Sequence, residues 1–179
     1  MSSGERKTVR RVALDAVFLV LALALSYIEV LIPFGALVPL PGFKLGLANI
    51  LVMLLVWRVS VVDGAIVSFL RVLIMGVLFG TPISMFFSAG GALLSFLVLI
   101  LLNRTAGKFI SFVGISVLSA AAHNMGQLIC AGIVFDFRAV LTYLPLLLVA
   151  SAIFGTVSGV LINRLYPHIE KIPFERVRI

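Results

Sequence analysis

Twenty consecutive residues without a charge, from Ile83 to Leu102, read ISMFFSAGGALLSFLVLILL. A helix of this length is about 30 Å long, which is the thickness of the hydrocarbon core of a bilayer. Four more apolar runs are long enough to cross, and one further run is short. The long runs are Val12 to Ile32, Val59 to Phe79, Ile110 to Phe135 and Val140 to Ile162, and the short run is Leu45 to Trp57. This pattern predicts an all-α integral membrane protein.

The composition supports the same conclusion. Of 179 residues, 62% are apolar and only 12% are charged, whereas soluble domains carry about 25% charged residues. The formal net charge of +7 does not indicate nucleic acid, because the basic residues flank apolar runs instead of forming a patch. We therefore expect the lipid bilayer, and no nucleic acid, as a partner. Cys130 is the single cysteine, which excludes an internal disulfide, and the sequence shows no metal-ligand spacing and no cofactor motif.

The distribution of basic residues predicts the topology. With six crossings and a cytoplasmic N-terminus, eleven basic residues lie inside and two, Lys44 and Arg138, lie outside. Five crossings would place five inside and eight outside, so the positive-inside rule favours six. We expect a basic cytoplasmic N-tail (1–11), a single compact six-transmembrane-helix bundle (12–164) and a basic cytoplasmic C-tail (165–179) in the cell membrane. The short run fits a short helix, a partly sunken helix or a re-entrant segment.

The longest connection, Pro33 to Lys44, contains three prolines and two glycines. Such a segment does not form a regular helix. On the predicted topology it faces outward, where it is the candidate lid of a binding site.

Polar residues inside the apolar runs are the best functional signal. Arg71 lies near the middle of its run, and an arginine there costs roughly 2.5 to 3.5 kcal/mol on insertion scales, so it should face a cavity or a partner. His123 and Gln127 are four residues apart and share one helix face, which Ser116 and Ala131 extend. Asn124 points about 100° away and is expected to bond a neighbouring helix.

Six polar residues are predicted to converge between the midplane and the outer surface, forming a substrate pocket with no catalytic role. They are Glu29, Lys44, Asn49, Arg71, His123 and Gln127. Two cations against one anion favour a substrate with a carboxylate or phosphate. Two simpler alternatives stay open: Glu29 and Arg71 form a structural ion pair, or His123 is a packing residue.

Four stretches of the chain resemble a known family, namely residues 42–49 (GFKLGLAN), Arg71 followed by Gly76 to Gly80, residues 89–92 (AGGA) and residues 122–127 (AHNMGQ). This family is the Gx transporter family, also named heptaprenyl diphosphate synthase component I. The resemblance implies a bundle similar to the S-components of energy-coupling factor (ECF) transporters, which bind vitamins or similar molecules under the loop after the first helix. It also implies an ECF coupling subunit and ATPases as partners. S-components dock through an Ala-x-x-x-Ala pattern in the first helix, whose nearest equivalent here is Ala22 with Ser26.

The second family name raises the question of catalysis. Prenyl diphosphate synthases hold Mg²⁺ with clustered aspartates, because hard cations need several carboxylate oxygens. This chain has seven acidic residues, none adjacent to another, so we expect that it is not an enzyme. The sequence predicts the substrate-binding membrane component of a small-molecule uptake transporter. The alternative is a non-catalytic membrane accessory subunit of isoprenoid (heptaprenyl diphosphate) or quinone biosynthesis.

Overall fold

The structure of the protein is a computed structural model that describes residues 3–31, 46–103 and 110–170. Of these residues, 91% are helical. The helices are α1 (Ser3–Leu31), α2 (Asn49–Arg58), α3 (Val61–Phe79), α4 (Pro82–Asn103), α5 (Phe112–Val134), α6 (Phe137–Leu141) and α7 (Leu144–Glu170). The predicted lid, Pro33 to Lys44, lies outside the described residues, as does most of the predicted C-tail.

Five helices, α1, α3, α4, α5 and α7, are long and apolar enough to cross a membrane. The prediction of an all-α, multi-pass membrane protein is therefore confirmed. The prediction of a six-transmembrane-helix bundle is confirmed only in part, because the short run forms the ten-residue helix α2. Ten helical residues extend for only about 15 Å, half the hydrocarbon core.

Helix α2 lies in the centre of the bundle. Every residue from Ile50 to Trp57 is buried, and α1, α3, α4 and α7 all contact it. A helix that is apolar on every side is stable only when it is enclosed. Its surroundings are therefore other helices, and little of it meets lipid.

The first part of α1 and the end of α7 lie on the same face of the bundle. The Arg11 guanidinium binds the Asp63 carboxylate in two places, with Nη2–Oδ1 at 2.8 Å and Nε–Oδ2 at 2.9 Å. Arg58 Nε donates to the carbonyl of Ile169 at 3.3 Å. We call this the basal face; it holds the start of α1, the end of α2, the start of α3 and the end of α7.

The last predicted run, Val140 to Ile162, is divided in the structure. Asp136 Oδ1 accepts the backbone N–H of Arg138 at 3.1 Å and so caps the short helix α6. Helix α7 then begins at Leu144. Pro145 occupies its first turn, where the missing N–H interrupts no helical hydrogen bond.

Glycines allow α4 and α5 to touch through their backbones. A methyl group placed on Gly126 of α5 would overlap the backbone of Gly90 and would lie 2.9 Å from Gly91 Cα on α4. On the opposite side of α5, Gly155 of α7 packs in the same way against Val117. Small residues permit such close helix approach in membranes, and they fix α5 between α4 and α7.

Candidate functional site

Four of the predicted site residues lie around the first turn of α2, deep in the bundle: Glu29, Asn49, Arg71 and His123. Arg71 follows Asp63 by eight residues on α3, which places it about 12 Å from the basal face at 1.5 Å per residue. His123 lies eleven residues into α5, about 16 Å from its start. Arg71 and His123 therefore lie near the middle of α3 and of α5, roughly 12 and 16 Å from the basal ends of these helices.

Arg71 is part of a hydrogen-bonded network that joins α2, α3 and α4. Its side chain is 5% exposed, and Nη2 donates to Asn49 Oδ1 at 3.1 Å. Asn49 Nδ2 in turn donates to Ser95 Oγ at 3.3 Å. The prediction that Arg71 faces the interior is confirmed. Among the described residues this is its one hydrogen bond, although a guanidinium carries five N–H donors.

Glu29 contacts the start of α2. Its Oε1 accepts the backbone N–H of Leu47, and the N-cap residue, Ala48, provides no side-chain cap. The chain enters this turn through Gly46, whose φ of +80° suits glycine. A carboxylate at a helix N-terminus is stabilised by the unpaired N–H groups and the helix dipole. Glu29 therefore has a structural role in positioning α2.

His123 and Gln127 lie on the buried face of α5, as predicted, together with Ser116 and Ala131. His123 is 2% exposed and is held between two glycines. A methyl group on Gly46 would lie 3.2 Å from its Cδ2, and one on Gly91 would lie 2.9 Å from its Cε1. The two glycines therefore make room for the imidazole.

Gln127 and Asn124 differ in their hydrogen bonding. Asn124 Nδ2 donates to Leu147 O at 3.1 Å and to Ser151 Oγ at 2.8 Å, so its predicted bond to a neighbouring helix is confirmed. Gln127 is 1% exposed, yet neither its amide oxygen nor its amide nitrogen has a hydrogen-bond partner among the described residues. Buried polar groups in native proteins are rarely left in this state.

Two small cavities flank the first turn of α2. Cavity A has a volume of about 10 Å³ and lies between α1, α3, α4 and α5. Cavity B, also about 10 Å³, lies between α2, α5 and α7. Each has room for about one water molecule. Cavity A is lined by Ser26, Glu29, Arg71, Val72, Met75, Ser88 and His123.

Lys44 lies outside the described residues. Of the other five predicted site residues, the structure places Glu29, Arg71 and His123 in the lining of cavity A and bonds Asn49 to Arg71, while Gln127 lines neither cavity. The structure also adds serines that the sequence reasoning missed, chiefly Ser26, Ser88 and Ser95. A signal for those on α4 exists, because Ser84, Ser88, Gly91 and Ser95 follow each other at helical spacing and mark one face. Within the described ranges, no three His, Cys, Asp or Glu side chains group as metal ligands.

Fold and site together define a multi-pass helical membrane protein with a closed polar cluster in its core. The family model described as heptaprenyl diphosphate synthase component I matches residues 18–165, and the chain belongs to that family. The resemblance noted in the sequence is thereby confirmed. Comparison with curated proteins and with solved structures found no match.

Proposed function

We propose that the protein is the substrate-binding component of a small-molecule uptake transporter in the cell membrane, and that the polar cluster is its binding site. The observation that carries this proposal is the buried amide of Gln127, which has no hydrogen-bond partner in the part of the chain that the structure describes. Leaving such a group buried without a partner costs about 1 to 3 kcal/mol. A residue kept only for helix packing has no reason to incur that cost. A ligand with both a donor and an acceptor would satisfy the two amide atoms.

The charges around cavity A favour a substrate with a carboxylate or phosphate. The negative charge of Glu29 lies at the N-terminus of α2, where the helix dipole compensates part of it. Arg71 bonds a neutral amide and keeps further N–H donors for a ligand, and a guanidinium matches the geometry of planar or tetrahedral anions. Lys44, the other predicted cation, would add a second positive charge.

The proposed mechanism has three steps. The substrate is captured from the side of the membrane opposite the basal face, the Pro33 to Lys44 segment closes over it, and release follows a rigid reorientation of the bundle. Coupling to an ECF-type subunit would need a docking face other than the Ala22 and Ser26 pair. These two residues are 0% and 2% exposed and therefore pack inside the bundle.

Two amide variants on α5 test the proposal. Gln127→Met is expected to reduce, several-fold, the small molecules that mass spectrometry detects on protein purified from native membranes. Its thermal stability should stay equal or rise, because no hydrogen bond is lost. Asn124→Met is the matched control: it removes two helix-to-helix hydrogen bonds, so it should lower stability and leave ligand retention intact. A Gln127→Met protein with reduced stability and full ligand retention would show that Gln127 is a packing residue.

The family description favours one alternative, a non-catalytic membrane subunit that assembles with a prenyl diphosphate synthase. The buried acid Glu29 lines cavity A, whereas the buried acid Asp63 lies on the basal face bound to Arg11, so these two do not form the paired carboxylates that Mg²⁺ needs. We therefore propose that any synthase activity resides in a partner. Affinity purification from native membranes separates the two readings. Recovery of a prenyltransferase chain without a bound small molecule would favour the accessory role, and recovery of a coupling subunit with ATPases would favour transport.

A further inference from the structure

A large apolar groove runs between α3 and α4 on the surface that faces the membrane. Its volume is about 370 Å³, within the range of roughly 300 to 1,000 Å³ that small-molecule sites occupy. Small residues such as Ala65, Ser68 and Ala89 form part of its lining. Phe69 and Leu93 border it and are 67% and 63% exposed. We call this space the lateral groove.

The lateral groove and cavity A share one lining residue. Val72 lines both spaces, and it directly follows Arg71 in the chain. On α4, two consecutive residues line the two different spaces: Ser88 lines cavity A and Ala89 lines the groove. The groove and cavity A therefore adjoin each other at Val72.

Ser88 adds an independent observation. Its side chain is 5% exposed, and its hydroxyl has no hydrogen-bond partner among the described residues. A serine inside a helix usually bonds a carbonyl of the preceding turn, as Ser95 does with Ala92 at 3.1 Å. Ser88 instead presents an unused donor and acceptor beside Arg71, at the point nearest the groove.

We propose that the substrate is an amphiphile, whose anionic head binds in cavity A against Arg71 and Ser88 and whose hydrocarbon chain lies in the lateral groove. This inference rests on the proposed function and narrows its substrate class. Cavity A alone holds about one water molecule, so the head enters by displacing Val72. The apolar lining suits a hydrocarbon chain, and the opening on the α3–α4 surface lets the substrate enter sideways from the bilayer.

Photolabelling tests this arrangement with a defined probe. Dodecyl phosphate carrying a diazirine near the end of its chain is added to the purified protein in nanodiscs, irradiated, and mapped by peptide mass spectrometry. We expect labelling on the α3 and α4 residues of the lateral groove. Unlabelled dodecyl phosphate should compete for this labelling, and dodecane should not.

Three variants sharpen the test. Ala89→Leu fills the groove from an exposed position and should reduce labelling several-fold, whereas Ala152→Leu, at an exposed position on α7, should not change it. Ser88→Ala removes no hydrogen bond found among the described residues, so folding should be unaffected. It should weaken competition by dodecyl phosphate several-fold. Ser88→Ala also keeps the test decisive if Ala89→Leu does not fold.

Two outcomes would overturn the inference. Labelling that dodecane suppresses equally, and that ignores Ser88→Ala, would show that the groove holds only bulk lipid chains. Cross-links between two copies of the chain at the groove would show that it is a dimer surface. If these results occur while Gln127→Met still reduces ligand retention, only the amphiphile inference fails. If Gln127→Met has no effect on retention, the proposed function itself fails.

Discussion

At the scale of single residues, Arg71 is the most expensive side chain to keep inside this bundle. It lies near the middle of α3 and is almost fully buried, and its hydrogen bond goes to the neutral Asn49 at 3.1 Å. Glu29 lines the same cavity but accepts the N–H of Leu47. Each of the two residues therefore has a hydrogen bond to a group other than the opposite charge, and a simple charge-neutralising ion pair does not fully describe either of them.

We predict that Arg71→Met destabilises the protein by about 1.5 to 3 kcal/mol, the usual cost of a lost hydrogen bond to a charged group. Adding Glu29→Gln should recover part of this loss, since it removes the carboxylate charge and keeps an acceptor for Leu47. The double variant should fold and still fail to retain ligand. Thermal unfolding and mass spectrometry of the purified protein measure the two effects. Arg138→Met, which alters an exposed arginine on α6, is the control and should change neither.

Full ligand retention by the double variant would contradict this prediction. Arg71 would then serve only to balance the charge of Glu29, as the ion-pair alternative from the sequence holds.

At the scale of helices, the contact between α4 and α5 controls the site, because it positions His123 and Gln127 against Gly91. We predict that Gly126→Ala lowers stability by about 1 to 3 kcal/mol, as overpacking does, and also reduces ligand retention. The added methyl group would meet the backbone of Gly90, which has no side-chain rotation to relieve the clash. Gly114→Ala on the same helix is the matched control, since its methyl group would meet side-chain atoms, Ile110 Cγ2 at 2.8 Å and Ser111 Oγ at 3.6 Å, and no backbone of a neighbouring helix within 4 Å among the described residues.

Thermal unfolding of both variants in detergent gives the comparison. Equal stability of Gly126→Ala and Gly114→Ala would mean that α4 and α5 can separate without cost, and the tight crossing would not be what positions the site.

Several helices could be predicted from the sequence, and each feature of the fold that was not predicted has an identifiable physical reason. Long apolar runs located five spans, and the spacing of His123 and Gln127 identified the buried face of α5. The break between α6 and α7 was missed, because the cap by Asp136 lies within a run that hydropathy alone leaves continuous. The length of α2 was ambiguous, since a short apolar run is compatible with several structures.

The residues of the candidate site were likewise predictable only in part. Arg71, His123 and Gln127 were identifiable, because polar residues are rare in apolar runs. The role of Glu29 was not, since its contact with Leu47 joins residues 18 positions apart through the packing of α1 on α2. Ser88 was overlooked because serine is common in membrane helices, and its importance depends on which way α4 is rotated.

At the scale of the whole molecule, the basal face predicts the orientation in the membrane. Both bundle ends lie on this face, and the basic residues concentrated near them should place it in the cytoplasm. Reporter fusions should therefore read outside after Phe79 and inside after Ile179. A fusion after Asn103, at the end of α4, should also read inside and serves as an internal check. A C-terminal reporter that is active only outside would overturn the topology.

The central position of α2 has a consequence for how the protein is made. A ten-residue apolar helix is too short for the bilayer to hold as an independent insertion unit. One of the helices that enclose it, α7, leaves the ribosome after the other described helices, and Arg58 contacts Ile169, 111 residues later in the chain. The nascent protein must therefore keep α2 beside α1 and α3 through most of its synthesis. Its enclosure is completed only when α7 arrives, so a chain truncated before α7 would expose α2 to membrane quality-control proteases.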